Sequence, residues 1–253
     1  MTFCIGIKVS EGIVALADTR IVRGSEQSNK QKLAEFQHNG QSLFTMTSGL
    51  RSVRDKTLIY LDESLRNEAQ SNQQSVQSNQ QSVDRLYQLV NRFGEQLRRV
   101  KAEDGEALQS TNHKFNSHAI IGGRLIGDAT PQLFYVYPEG NWIEAVEDAP
   151  YFVIGRTYYG KPILDRLLTY QTSLRSAIGL ALLAFDATRA SVTDVDYPID
   201  IAVLSNQATV PTFRRFTEAD LAQATQWWAD TLGNALSNMP MDWASDFIVS
   251  GNP

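Results

Sequence analysis

Apolar residues fall into two periodicities along the chain, and each change of period marks an element. Phe3–Val9 is strand-like, Ser10-Glu11-Gly12 is a tight polar turn, and Ile13–Ala17 is a second apolar run, so residues 3–17 read as a hairpin. Leu43–Thr47 is a further short strand, halted by Ser48-Gly49. Helical spacing follows over about 53–65 and again over 83–100, where Leu86, Leu89, Val90, Phe93 and Leu97 recur every three or four residues. A polar connection is expected at 101–117. Strand signals return at His118–Ile121, Leu133–Tyr137 and Tyr151–Ile154, helical ones at 161–168 and 174–189, and a strand at 199–204. Thr217 then caps a last helix running to about 236. Clustered strands followed by clustered helices favour antiparallel sheets with segregated helices over alternating βαβ units. Without a Pro/Gly-rich linker, the 253 residues read as one domain.

Gln70-Ser71-Asn72-Gln73-Gln74-Ser75-Val76 is repeated unchanged as residues 77–83. Seven-residue periodicity raises the question of a coiled coil, but one apolar position per copy makes no seam. The segment is read as a polar insertion, a helix extension or loop without chemistry.

Composition narrows the function classes. A net charge of −5 argues against a nucleic-acid binder, and the single cysteine, Cys4, excludes an internal disulfide framework and suits a reducing compartment. No run approaches the roughly 20 apolar residues of a membrane helix, and the amino terminus lacks the pattern of a signal peptide. A soluble, cytoplasmic protein with no membrane or nucleic-acid partner is expected.

Most familiar chemistries have no motif here. There is no G-x-S-x-G elbow, Walker A loop, H-E-x-x-H or paired C-x-x-C, so no metal or cofactor is expected. Gly122–Gly127 has the wrong spacing for a dinucleotide fingerprint. His38, His113 and His118 are the only histidines; His38 and His113 sit in polar segments and read as ordinary surface or satisfied groups. Cys4 lies in an apolar strand and reads as a buried, inert thiol.

What remains is Thr2. Loss of Met1 would expose a terminal threonine whose hydroxyl is a nucleophile and whose own α-amine can act as base, so no histidine is needed. An α-amine titrates near 7.7–8.0, and a nearby cation lowers that further. The hairpin returns Asp18 to the neighbourhood of Thr2, with Arg20 beside it; an ordinary Asp turn with a surface Arg would look the same.

Thr2, Ala17-Asp18-Thr19-Arg20, Lys32 with Leu33-Ala34-Glu35-Phe36, and Thr45-Met46-Thr47-Ser48-Gly49 together resemble the proteasome-type amino-terminal-threonine hydrolases. Ile154-Gly155-Arg156-Thr157-Tyr158-Tyr159-Gly160-Lys161 and the following residues are similar to the bacterial branch called Anbu, as is the extension beyond about residue 205. The resemblance implies an α+β fold, a four-layer αββα sandwich. It also implies Thr2 as nucleophile, Asp18 and Lys32 as its catalytic partners, and an oxyanion hole at the N–H groups of Ser48 and Gly49. Arg20 and Asp186 would be supporting residues. Lys30, two residues from Lys32 and on the same expected strand face, competes for the lysine role; Leu-Ala-Glu-Phe after Lys32 favours Lys32. Two positions depart from the family: Gly155-Arg156-Thr157 replaces a Gly-Ser-Gly, and Arg189 stands at a family serine. A threonine peptidase acting on peptide or protein is the first expectation. The alternatives are an amidase on a small or conjugated substrate and a catalytically weak, self-assembling scaffold. Apolar helical faces and Trp227, Trp228, Trp243 and Phe247 point to a homo-oligomer larger than a dimer.

Overall fold

The computed structural model describes residues 2–23, 26–74 and 83–247. They fall into two compact units, divided between Phe216 and Thr217.

The first unit opens with the expected hairpin, β1 (Phe3–Val9) and β2 (Gly12–Asp18). A small two-stranded sheet follows, β3 (Arg20–Arg23) with β4 (Glu26–Asn29), and then β5 (Leu33–His38) and β6 (Gln41–Gly49). Two long helices come next, α1 (Arg51–Gln74) and α2 (Leu86–Ser110). Strands β7 (Ser117–Gly123), β8 (Gln132–Val136), β9 (Trp142–Glu144) and β10 (Tyr151–Gly155) lead to α3 (Lys161–Leu167) and α4 (Leu174–Arg189). Strands β11 (Ile199–Ser205) and β12 (Thr212–Phe216) complete the unit.

Two five-stranded antiparallel sheets result, in the orders β10-β1-β2-β11-β12 and β5-β6-β7-β8-β9. Their facing sides share one apolar layer in which Cys4, Ala15, Ala17 and Ala202 of the first sheet meet Phe44, Met46, Ile120 and Leu133 of the second. Small residues on one side allow close approach: a Cβ on Gly6 would stand 3.0 Å from Ile120 and 3.1 Å from Leu133. The alternate residues of β1 face outward, and Phe3 packs on Phe185 of α4 with ring centroids 6.2 Å apart. On the far side of the second sheet, Val53 and Leu61 of α1 join Leu86, Leu89, Phe93 and Leu97 of α2 over Ala119, Ile121 and Phe134. Helices outside, two sheets inside: this is the four-layer αββα sandwich. Because β1 and β2 are covered on both faces, they are apolar throughout rather than alternating.

Several boundaries differ from the sequence reading. The expected connection at 101–117 is helical as far as Ser110. Periodicity fails there because that stretch is exposed, but Lys, Ala, Glu and Leu favour helix, and Lys56 of α1 bonds Asp104 at 2.8 Å. The helix expected from 83 begins at Leu86, whose amide donates to Asp128. The repeat enters α1 as far as Gln74, and residues 75–82 lie outside the described residues.

In the second unit, α5 (Glu218–Ser237) starts at the expected cap: the Thr217 hydroxyl accepts from the Asp220 amide, and the Asp220 carboxylate accepts from Thr217 N. A 3-10 turn follows at Asp242–Phe247. No residue of α5 is buried; Trp227, Leu236, Trp243 and Phe247 are 60–82% exposed. Among the described residues, no helix is long and apolar enough to cross a membrane.

Candidate active site

Thr2 is held through the peptide group that joins it to Phe3. The hairpin register pairs Cys4 with Ala17, so Asp18 stands one step beyond, and its Oδ1 accepts the Phe3 amide at 2.8 Å. On the other side β10 pairs Phe3 with Gly155, and Arg156 N donates to the Thr2 carbonyl at 2.8 Å. This approach needs glycine. Gly155 has φ +93°, and a Cβ there would sit 1.8 Å from the Thr2 oxygen.

Lys32 reaches the same corner from the residues before β5. Its ammonium donates to both Asp18 oxygens, at 2.7 and 2.8 Å, and to the Arg20 carbonyl at 2.7 Å. Asp18 is fully buried and Lys32 nearly so. Burial pushes the Asp18 carboxyl up, while the Lys32 ammonium and the Phe3 amide pull it back toward the ionised form. Three N–H groups thus converge on one carboxylate, two from Lys32 and one from Phe3. A buried pair held this way is costly to form and locked once formed.

Thr2, Lys32, Thr47, Ser48 and Gly49 line one cleft of about 910 Å³ in the first unit. Gly49 ends β6 at φ +109°, where a Cβ would stand 1.7 Å from the Asn116 carbonyl, so glycine is again required. Lys30 lines the cleft too, but the Asp18 carboxylate bonds Lys32. Contrary to the expectation from sequence, the two lysines do not share a strand face. Residues 30–32 lie outside any strand, because Lys30 N turns in to bond the Thr19 carbonyl at 2.7 Å.

The supporting residues are less central. The Arg20 guanidinium points away from the cleft, donating to Asp196 at 2.7 Å and to the Thr193 carbonyl at 3.2 Å; its own carbonyl accepts from Lys32. Asp186, half-buried on α4, is not among the cleft residues, and burial raises its carboxyl against the pull of Arg189. Arg156 donates from Nε and Nη2 to Asp194, at 3.2 and 2.8 Å. Although burial raises the Asp194 carboxyl, the Arg156 fork holds it below the usual carboxylate range. Arg189 lies 3.4 Å from Asp196. Cys4 is fully buried, and its thiol is pushed far up by desolvation, so it is not a nucleophile.

His118 was passed over in the sequence and also lines the cleft. The signal was topological: β6 and β7 run antiparallel with Ser48 opposite His118, at the end of the sheet where Thr2 lies. His38 is buried on Val83 O, and His113 is exposed beside Thr111.

Comparison with known proteins gives a consistent answer. The family model described as proteasome subunit matches residues 2–204. No curated protein matches the sequence significantly. Among solved structures, an Anbu (Gly-1) mutant from Hyphomicrobium sp. strain MC1 is 29% identical at a TM-score of 0.79, covering 94% of this chain and 98% of its own. Anbu (ancestral beta-subunit) from Yersinia bercovieri is 29% identical at 0.79, covering 94% and 97%. A helical assembly of the Anbu complex from Pseudomonas aeruginosa is 28% identical at 0.81, also covering 94% and 97%. The chain therefore belongs to the proteasome subunit family, and within that family it is similar to the bacterial Anbu subunits.

Proposed function

We propose that this subunit is a threonine peptidase in which Thr2, freed of Met1, attacks a peptide carbonyl. The observation that carries the reading is the meeting of Thr2 and Lys32 on one cleft, with Lys32 locked on buried Asp18. In the proposed reaction the Thr2 α-amine takes the hydroxyl proton, and Oγ adds to the carbonyl carbon. Lys32 disfavours a second positive charge and so keeps the amine partly neutral. The developing oxyanion is received at Ser48 and Gly49, where β6 ends on the cleft. Collapse of the adduct expels the amine half, which takes its proton from the α-ammonium. Water activated by the same amine then hydrolyses the ester and restores Thr2. No metal or cofactor enters this scheme.

The subunit is further proposed to act in the cytoplasm within a homo-oligomer larger than a dimer. The exposed apolar side chains of α5 and the turn after it support the assembly, as does the helical assembly of the Pseudomonas relative. A single domain, with the polar insertion at 70–83 and the extension from about 205 as embellishments, fits this role.

Intact-protein mass spectrometry after incubation with a β-lactone selective for terminal threonine tests the site. One adduct per chain, on molecules that have lost Met1 and absent from Thr2→Ala, is the expected result. Amide hydrolysis by protein that retains Met1 throughout would refute the mechanism.

A further inference from the structure

The cleft holds an imidazole that the proposed reaction does not use. His118 stands in register opposite Ser48, at the start of β7, with its ring half-buried. Its Nδ1 lies 2.8 Å from the Tyr135 hydroxyl. Tyr135 is itself fixed, edge-on to Tyr137 at 4.7 Å between centroids and tilted on Phe152 at 5.6 Å. Burial, aided by Tyr137 and Glu139, pushes the Tyr135 hydroxyl up to about 12, so it keeps its proton. Burial lowers His118, against Glu139, so the ring is neutral near pH 7. A protonated phenol that donates to Nδ1 leaves the ring proton on Nε2. Among the described residues, Nε2 has no hydrogen-bond partner. The cleft wall beside Ser48 and Gly49 thus carries a spare N–H donor whose direction Tyr135 sets.

We infer that His118 is a substrate-positioning residue, its Nε2–H donating to a backbone carbonyl of an extended peptide bound across the Thr2 cleft. Tyr135 fixes the tautomer that makes this possible. The inference rests on the hydrolase reading and sharpens it, because a small amide carries no extended backbone along the cleft wall to accept from His118. Polypeptide, rather than a small conjugate, is then the substrate class.

The test compares the full-length protein with His118→Phe, His118→Gln and Tyr135→Phe on an internally quenched octapeptide and on a capped aminoacyl anilide. For the octapeptide, His118→Phe is expected to raise KM by roughly 3- to 10-fold, the scale of one neutral hydrogen bond, with kcat unchanged. The anilide and β-lactone labelling of Thr2 stay at wild-type levels, and His118→Gln, which keeps an N–H donor, recovers most of the loss. With only three histidines, 15N-histidine labelling reads the tautomer directly; it should be the Nε2–H form in the wild type and mixed in Tyr135→Phe. An unchanged octapeptide KM in His118→Phe, or an equal change on the anilide, overturns the inference. If even the wild type neither hydrolyses nor labels, the hydrolase reading fails separately. The octapeptide, carrying fluorescein in place of its quencher pair, is then titrated by anisotropy. Weaker binding by His118→Phe supports the His118 contact; equal binding, or none by the wild type, refutes it.

Discussion

Removing the Lys32 ammonium separates two contributions that the buried pair combines. In Lys32→Ala the Asp18 carboxylate keeps the Phe3 amide at 2.8 Å but loses its cation, and being fully buried it cannot turn to water. Breaking one side of such a pair costs about 3–5 kcal/mol. For a unit of this size, about 2–4 °C per kcal/mol, that is a fall in Tm of roughly 6–20 °C. The single variant should therefore be inactive and visibly destabilised, and inactivity alone would say little about catalysis. Asp18→Leu/Lys32→Met decides the matter. An apolar pair of similar volume is often neutral or stabilising relative to a buried ion pair, but it leaves the Phe3 amide without its acceptor at about 1–3 kcal/mol, so Tm should recover part of the loss. If Lys32 tunes the Thr2 amine, the recovered protein still turns over at least about 10²-fold more slowly. Differential scanning calorimetry and a fluorogenic peptide assay on the three proteins measure both quantities. A double variant with partly recovered Tm and wild-type turnover would remove Lys32 from the mechanism; an unshifted Tm in Lys32→Ala would show that the pair is not buried in solution.

Gly155→Ala should lose β-lactone labelling of Thr2, because its Cβ would overlap the Thr2 carbonyl at 1.8 Å; φ +93° adds about 1–3 kcal/mol of strain to be read as a lower Tm. Burial depresses His118 below its ordinary value of about 6.5, so the unfolded chain binds this proton more readily than the folded one. The stability it contributes is present above pH 6.5 and is lost as pH falls through the folded value; Tm measured from pH 5 to 8 should accordingly drop less steeply in His118→Gln than in the wild type. Trp227→Asp/Leu236→Asp, placed on exposed positions of α5, should leave folding intact and reduce the sedimentation coefficient at micromolar concentration. A wild type that sediments as a single monomer would refute the assembly.

The amino-terminal half of the site was legible because it is local. A hairpin with a two-residue turn, Ser10-Glu11, fixes its own register, so Asp18 had to return to the start of β1, and the Cys4–Ala17 pairing does this. Helix α4, amphipathic and capped by Ser173, was bounded correctly at 174–189. Short edge strands were not seen. Strand β9 has three residues, and β12 reads Thr-Phe-Arg-Arg-Phe, whose two arginines carry no apolar alternation. Their pairing is decided by the neighbouring strand rather than by their own sequence. His118 and Tyr135 were invisible for a related reason. Seventeen residues separate them, and only the β7–β8 register, which sets Ile120 against Tyr135, brings the two side chains to one end of the sheet.

The two departures from the family pattern look different once their neighbours are known. An arginine at either position, on sequence alone, suggests erosion of the shell around Thr2. In the structure each arginine has an acidic counterpart on the short segment before β11: Asp194 takes the fork of Arg156, and Asp196 stands between Arg189 and Arg20. Arg156 also bonds the Thr2 carbonyl through its amide, so the fork on Asp194 steadies the backbone atom that holds Thr2. Two cations matched by two carboxylates leave neither arginine unpaired, which supports the proposed site over an eroded one. On the proposed reading, ion pairs steady the backbone beside Thr2 at the two positions where the sequence departs from the family's serines.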